Sequence, residues 1–70
     1  MNIKLKVGKR IRQLRKEIQL SQEALALKAE VDRTYVTDVE AGNRNVSLEI
    51  LERLVKALEV SFEKFFKGIE

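Results

Sequence analysis

The stretch LSQEALALKAEVDRTYVTDVEAG, residues 20–42, decides how this chain folds. It reads as two short helices joined by a very short turn, and each helix opens with the same device. Leu20 and Ser21 precede Leu25, and Val31 and Asp32 precede Val36. In both, a capping residue follows an apolar one, and a second apolar residue comes four positions after the cap. Ser21 and Asp32 can each accept a hydrogen bond from an unpaired amide of the first turn. The flanking apolar pair can staple the entering chain onto that turn. Gly42 fits the C-terminal end of the second of these helices, where a left-handed backbone is needed.

Working outward, Val7, Ile11, Leu14 and Ile18 form one apolar stripe, which predicts a preceding helix over roughly residues 6–18. Ile3, Leu5 and Val7 alternate, so the segment before it reads as extended, with no convincing cap. The two helices of the central stretch run over about 22–29 and 33–41. The cap-and-staple pattern then returns twice: Val46 and Ser47 precede Leu51, and Val60 and Ser61 precede Phe65. These open a fourth helix near 48–59 and a fifth near 62–67. Leu48, Leu51, Leu54, Val55 and Leu58 give the fourth helix its apolar face. The prediction is an all-α fold of five short helices around one core, a single domain over residues 1–70.

Composition agrees. Proline is absent and glycine occurs only three times. With no cysteine and no histidine, disulfides and the usual zinc sites are excluded. A chain of 70 residues buries only about 60 % of its unfolded surface, so its core is small. No continuous apolar run follows the basic N-terminus, and none spans a membrane. The expectation is a soluble, cytoplasmic protein with no cofactor, no metal and no evident small-molecule effector. Charge is uneven. Residues 1–16 carry Lys4, Lys6, Lys9, Arg10, Arg12, Arg15 and Lys16 and no acid, a balance of +7 against a total of +3. Such asymmetry suits a phosphate-facing segment, and equally a solvated helix face.

Two helices this short, joined this tightly, must cross steeply. That is the geometry of a helix-turn-helix, which sets its second helix in the major groove of DNA. Small Ala26 lets the third helix approach, Val31 plugs the turn, and Val36 and Val39 face inward. Arg33, Thr34, Thr37 and Asp38 then share the opposite face. Arginine can bond guanine twice, threonine can bond a base edge or touch the thymine methyl, and aspartate can accept from cytosine. A carboxylate there is repelled by phosphate, so Asp38 must be specifically placed or turned toward Arg33 or another basic residue.

On these residues the chain resembles the lambda-repressor-like family, the Cro-type or XRE-type helix-turn-helix. The resemblance rests on Ile11-Arg12-Gln13-Leu14-Arg15, Leu20-Ser21-Gln22-Glu23-Ala24-Leu25-Ala26, Val39-Glu40-Ala41-Gly42, Ser47-Leu48-Glu49-Ile50-Leu51 and Lys56-Ala57-Leu58-Glu59-Val60-Ser61. Asp32-Arg33-Thr34-Tyr35-Val36 with Asn43-Arg44-Asn45 resembles, within it, the controller proteins of restriction–modification systems. Those are small dimeric regulators that time the expression of a restriction endonuclease.

The resemblance implies further roles. Gln22 is expected to bond a backbone phosphate and brace the reading helix; the plainer reading is an exposed first-turn residue. Arg15 and Glu40 are expected to form a buried or half-buried ion pair, with Arg15 also touching a phosphate. Arg44 and Asn45 are expected at the DNA backbone, or serve loop solubility alone. Tyr35 offers its hydroxyl to a phosphate or packs. Lys9, Arg10 and Arg12 are weaker candidates. Glu30 departs from the family pattern, standing at a turn position that usually holds glycine and needs positive φ. A single reading helix contacts few base pairs, so a homodimer on a (pseudo)palindromic operator is expected. Its interface is expected within residues 48–70, at Phe66 and Ile69 first, with Leu58, Val60 and Phe62 nearby. The competing readings are a small phage repressor or antitoxin-type regulator, and a helical interaction module that does not bind DNA. An enzyme is the remote third class.

Overall fold

The structure, a computed structural model, describes residues 2–69. The ends of the expected domain and of the expected pairing region, residues 1 and 70, lie outside the described residues. Five helices follow in order: α1 (Ile3–Glu17), α2 (Gln22–Ala29), α3 (Arg33–Glu40), α4 (Leu48–Ala57) and α5 (Phe62–Lys67). No strand occurs among the described residues. One expectation fails at the start. The segment read as extended is the first turn of α1, capped by the Asn2 side chain, which accepts from the Leu5 amide at 3.2 Å. The alternation of Ile3, Leu5 and Val7 was incidental, because Ile3 and Leu5 stay exposed on that turn.

The four expected caps are all present. Ser21 accepts from Ala24, Asp32 from Thr34, Ser47 from Ile50 and Ser61 from Lys64, at 2.7–3.1 Å. The staple residues Leu20, Val31, Val46 and Val60 pack half-buried against the core, while Leu25, Val36, Leu51 and Phe65 are buried in it.

Helix ends are equally regular. Gln19, Glu30 and Glu59 take the left-handed conformation at φ 58°, 60° and 63°, and Gly42 does so at 78°. Each amide there bonds back to the last turn, as Glu30 does to Leu27 at 3.2 Å, and Val31 closes the larger ring to Ala26 at 2.9 Å. Glu30 therefore carries the positive φ expected of it, a strain of about 1 kcal/mol for a residue with a Cβ. Three links thus run left-handed residue, apolar residue, capping residue. Only α3 to α4 is longer.

The core takes Val7, Ile11 and Leu14 from α1, Leu25, Ala26 and Ala29 from α2, and Val36 and Val39 from α3. α4 adds Leu51, Leu54, Val55, Ala57 and the following Leu58, and α5 adds Phe65. Ile18 and Leu48, expected in the apolar faces, are exposed instead. Each sits at or just past a helix end, beyond the reach of the core. α3 packs against both α1 and α2. Gly8 permits the first contact: a Cβ there would lie 2.1 Å from the Val39 carbonyl oxygen.

Candidate DNA-binding surface

α3 is placed by its buried face and locked by a polar network. Val36 and Val39 are fully buried, which turns Arg33, Thr34 and Thr37 outward, with Asp38 half-buried beside them. The four expected reading residues therefore share one face. Behind it, Arg15 Nε and Glu40 Oε2 stand 2.7 Å apart, and a second bond joins the pair at 3.0 Å. The third guanidinium nitrogen donates to the Leu20 carbonyl at 2.8 Å. Both side chains are nearly excluded from solvent. The Glu40 hydrogen bond, with its charge, raises the Arg15 pKa above the ordinary value, against the opposing effect of burial. The expected ion pair is thus in place. Each Arg15 nitrogen donates to an internal acceptor, which leaves two of the five guanidinium N–H groups for the phosphate contact expected of it.

Gln22 does the bracing expected of it. At the first position of α2, its Nε2 donates to Glu40 at 3.1 Å, and its Oε1 accepts from the Thr37 hydroxyl at 3.0 Å. The N-terminus of α2, an amide-rich end that favours phosphate, is thereby fixed beside the middle of α3. Glu23, next along α2, stands 3.7 Å from Arg33, both largely exposed.

Asp38 turns not to Arg33 but to Arg44, at 3.2 Å. The Arg44 guanidinium lies 4.3 Å from the centre of the Tyr35 ring. Tyr35, Asp38 and Arg44 thus form one half-buried cluster joining the face of α3 to the loop behind it. Asn45 is exposed on the same loop.

A second, apolar surface lies around α5. Phe62 and Phe66 are both 44 % exposed and stack with ring centres 6.4 Å apart. Phe66 also meets Phe65 edge-on at 5.1 Å. Leu48 joins them in one groove, and Ile3 and Val46 line a second groove on the other side of Phe66. Among the expected interface residues, Val60 and Ile69 are half-buried against the core. Leu58 is corrected: it is fully buried inside the monomer and has no surface to offer a partner. Leu48 and Ile3 are the residues sequence reasoning missed here.

Arg10, a weaker candidate for DNA contact, donates to the Phe65 carbonyl at 2.8 Å and the Lys64 carbonyl at 2.6 Å, closing the end of α5. The partners lie 54 and 55 residues away, beyond any local pattern. Gly8 did carry a signal, since a glycine inside a helix costs about 1 kcal/mol against alanine without a packing reason.

A pair of short helices packed together across a tight turn, a polar outward face and a locked anchor define a helix-turn-helix protein. The chain belongs to the helix-turn-helix family, whose model matches residues 11–65, and it is a DNA-binding transcriptional regulator. Within that class it resembles restriction–modification controllers. It is 41 % identical over 70 residues to the control protein C.MunI of Mycoplasma sp, covering 99 % of this chain and 95 % of that one. The controller C.AhdI of Aeromonas hydrophila superposes with a TM-score of 0.89 at 42 % identity, over 94 % of this chain and 100 % of the other. The controller C.Esp1396I, seen as a tetramer on its natural 35 base-pair operator, gives 0.90 at 39 % identity, over 96 % and 88 %. No helix among the described residues is long and apolar enough to cross a membrane.

Proposed function

We propose that this chain is a restriction–modification controller that binds a two-fold symmetric operator as a homodimer. One observation carries the reading: the exposed face of α3 is bolted to the N-terminus of α2 through Gln22, Glu40 and Arg15, in a chain that matches controllers over nearly its whole length. α3 enters the major groove. Arg33, Thr34, Thr37 and Asp38 meet base edges, the last once Arg44 leaves it for a phosphate. Gln22, Tyr35, Arg44 and Asn45 hold the backbone. Phe62, Phe66, Ile69 and Val60, with Leu48, pair two copies so that the two reading helices fall one helical turn apart. The residues form one cytoplasmic domain without catalytic function, and operator occupancy follows protein concentration.

Selection of bound duplexes from a random pool tests this directly. The expected product is a palindrome with half-sites about 10 base pairs apart. On it, log K should fall linearly with log salt, as expected when several phosphates are neutralised. Arg33→Ala should relax one position of each half-site, at a cost of roughly 1–3 kcal/mol. Weak binding to every duplex alike, with no sequence enriched, would favour an interaction module instead.

A further inference from the structure

Threonine is ordinarily an ambiguous reader, because its hydroxyl can donate or accept. In this fold the ambiguity is removed, and the restriction starts in the buried pair. Glu40, an ionised carboxylate held by Arg15, can only accept. The Gln22 atom facing it at 3.1 Å must therefore be the amide nitrogen, which turns the amide oxygen toward Thr37. An amide oxygen also only accepts, so the Thr37 hydroxyl is the donor across that 3.0 Å contact. Its other neighbour within hydrogen-bond distance is the Arg33 carbonyl at 3.2 Å, again an acceptor. Whichever it chooses, the one hydroxyl hydrogen points into the protein. Thr37 itself is exposed on the reading face. What it presents outward is oxygen lone pairs and a methyl group.

We propose that Thr37 reads the operator as a hydrogen-bond acceptor, taking a hydrogen from the exocyclic amino group of adenine or cytosine. It does not donate to the O6 or N7 of guanine or the O4 of thymine. To do so it would withdraw its single hydrogen from the internal acceptor that holds it, in a desolvated interface where an unmet acceptor is costly. The proposal rests on α3 being the reading helix, and it adds the base chemistry of one position to that reading.

The test uses the intact protein and an operator taken from the random-pool selection. Each half-site base is replaced singly by an analogue lacking only its amino group, purine for adenine or 2-pyrimidinone for cytosine. A parallel set lacks the carbonyl oxygen and, on the pairing edge, the adjacent ring N–H: 2-aminopurine for guanine or 5-methyl-2-pyrimidinone for thymine. Binding of wild type, Thr37→Ser, Thr37→Val and Thr37→Ala is measured on every duplex, so that changes in base pairing cancel in the double-mutant cycle. The expected result is one position where loss of the amino group weakens wild type and Thr37→Ser by roughly fivefold but leaves Thr37→Val and Thr37→Ala unaffected. Whether that position holds adenine or cytosine names the base. Coupling of Thr37 to a carbonyl analogue, or coupling to none, overturns the proposal. A protein that selects no operator fails earlier, at the reading itself.

Discussion

Glu30-Val31-Asp32 and Glu59-Val60-Ser61 are two copies of one turn. Each sets a glutamate in the left-handed conformation, wedges a valine against the core and caps the next helix with a short polar side chain. The helices they launch, α3 and α5, are both short and both bury one side. Yet α3 shows solvent arginine and threonine, whereas α5 shows two phenylalanines. Their anchors differ too. α3 is held at its C-terminal end by Glu40, inside a buried ion pair, and α5 by Arg10 reaching its last carbonyls from α1. The turn thus sets a crossing geometry and no more. The difference lies in the outward face and in how each helix is fixed, one copy launching a polar face and the other an aromatic one.

The anchors are where this comparison breaks most easily. Arg15→Ala or Glu40→Ala strands a buried charge and should cost about 3–5 kcal/mol. A small domain has little more than that in total, so either variant should be largely unfolded by chemical denaturation. Replacing both residues by leucine or methionine should recover most of the loss while sequence-specific binding stays impaired, because Gln22 loses its partner. Equal damage from the double replacement would mean that the pair itself, rather than its imbalance, stabilises the fold. On the α5 side the expected effects are smaller. Arg10→Ala removes three charge-assisted bonds, two of them to α5, at a half-exposed site and should cost roughly 1–3 kcal/mol. Phe66→Ala should leave the monomer folded and shift sedimentation from dimer to monomer at micromolar concentration. A Phe66→Ala protein that stays dimeric would move the interface elsewhere.

The contrast between turns and anchors also marks how much was readable in the chain. Caps and staples are short-range and depend on residue type, so all four helix starts after α1 were legible. The strain at Glu30 was legible because glycine was expected there. The same conformation at Gln19 and Glu59 was not, since nothing in either residue type signals a left-handed backbone. Asn2 was passed over because the apolar alternation after it imitated a strand. Contacts set by tertiary packing were hidden: Arg10 with α5, Asp38 with Arg44, and the burial of Leu58 against the exposure of Leu48, two leucines that a helical projection puts on the same side. Of the reading face, the four residues were visible beforehand, but the network that fixes the Thr37 hydroxyl was not.

The finest distinction between the two turns is electrostatic. Glu30→Gly relieves a left-handed strain at a modest entropic cost in the unfolded chain, and should stabilise the protein by at most about 1 kcal/mol. Its carbonyl, which accepts from Arg53 at 3.5 Å, survives the change. Glu59→Gly relieves the same strain but also deletes an exposed ion pair with Lys28, so its gain should be smaller. The Lys28 hydrogen bond and charge hold the Glu59 carboxyl below its ordinary value. A carboxyl lowered on folding favours the folded state above its unfolded pKa, and that contribution disappears as pH falls through the folded value. The gap in denaturation midpoint between Glu30→Gly and Glu59→Gly should therefore be widest near neutral pH and narrow below the usual carboxylate range. A gap that persists in acid would assign the difference to the backbone and remove Lys28 from the account.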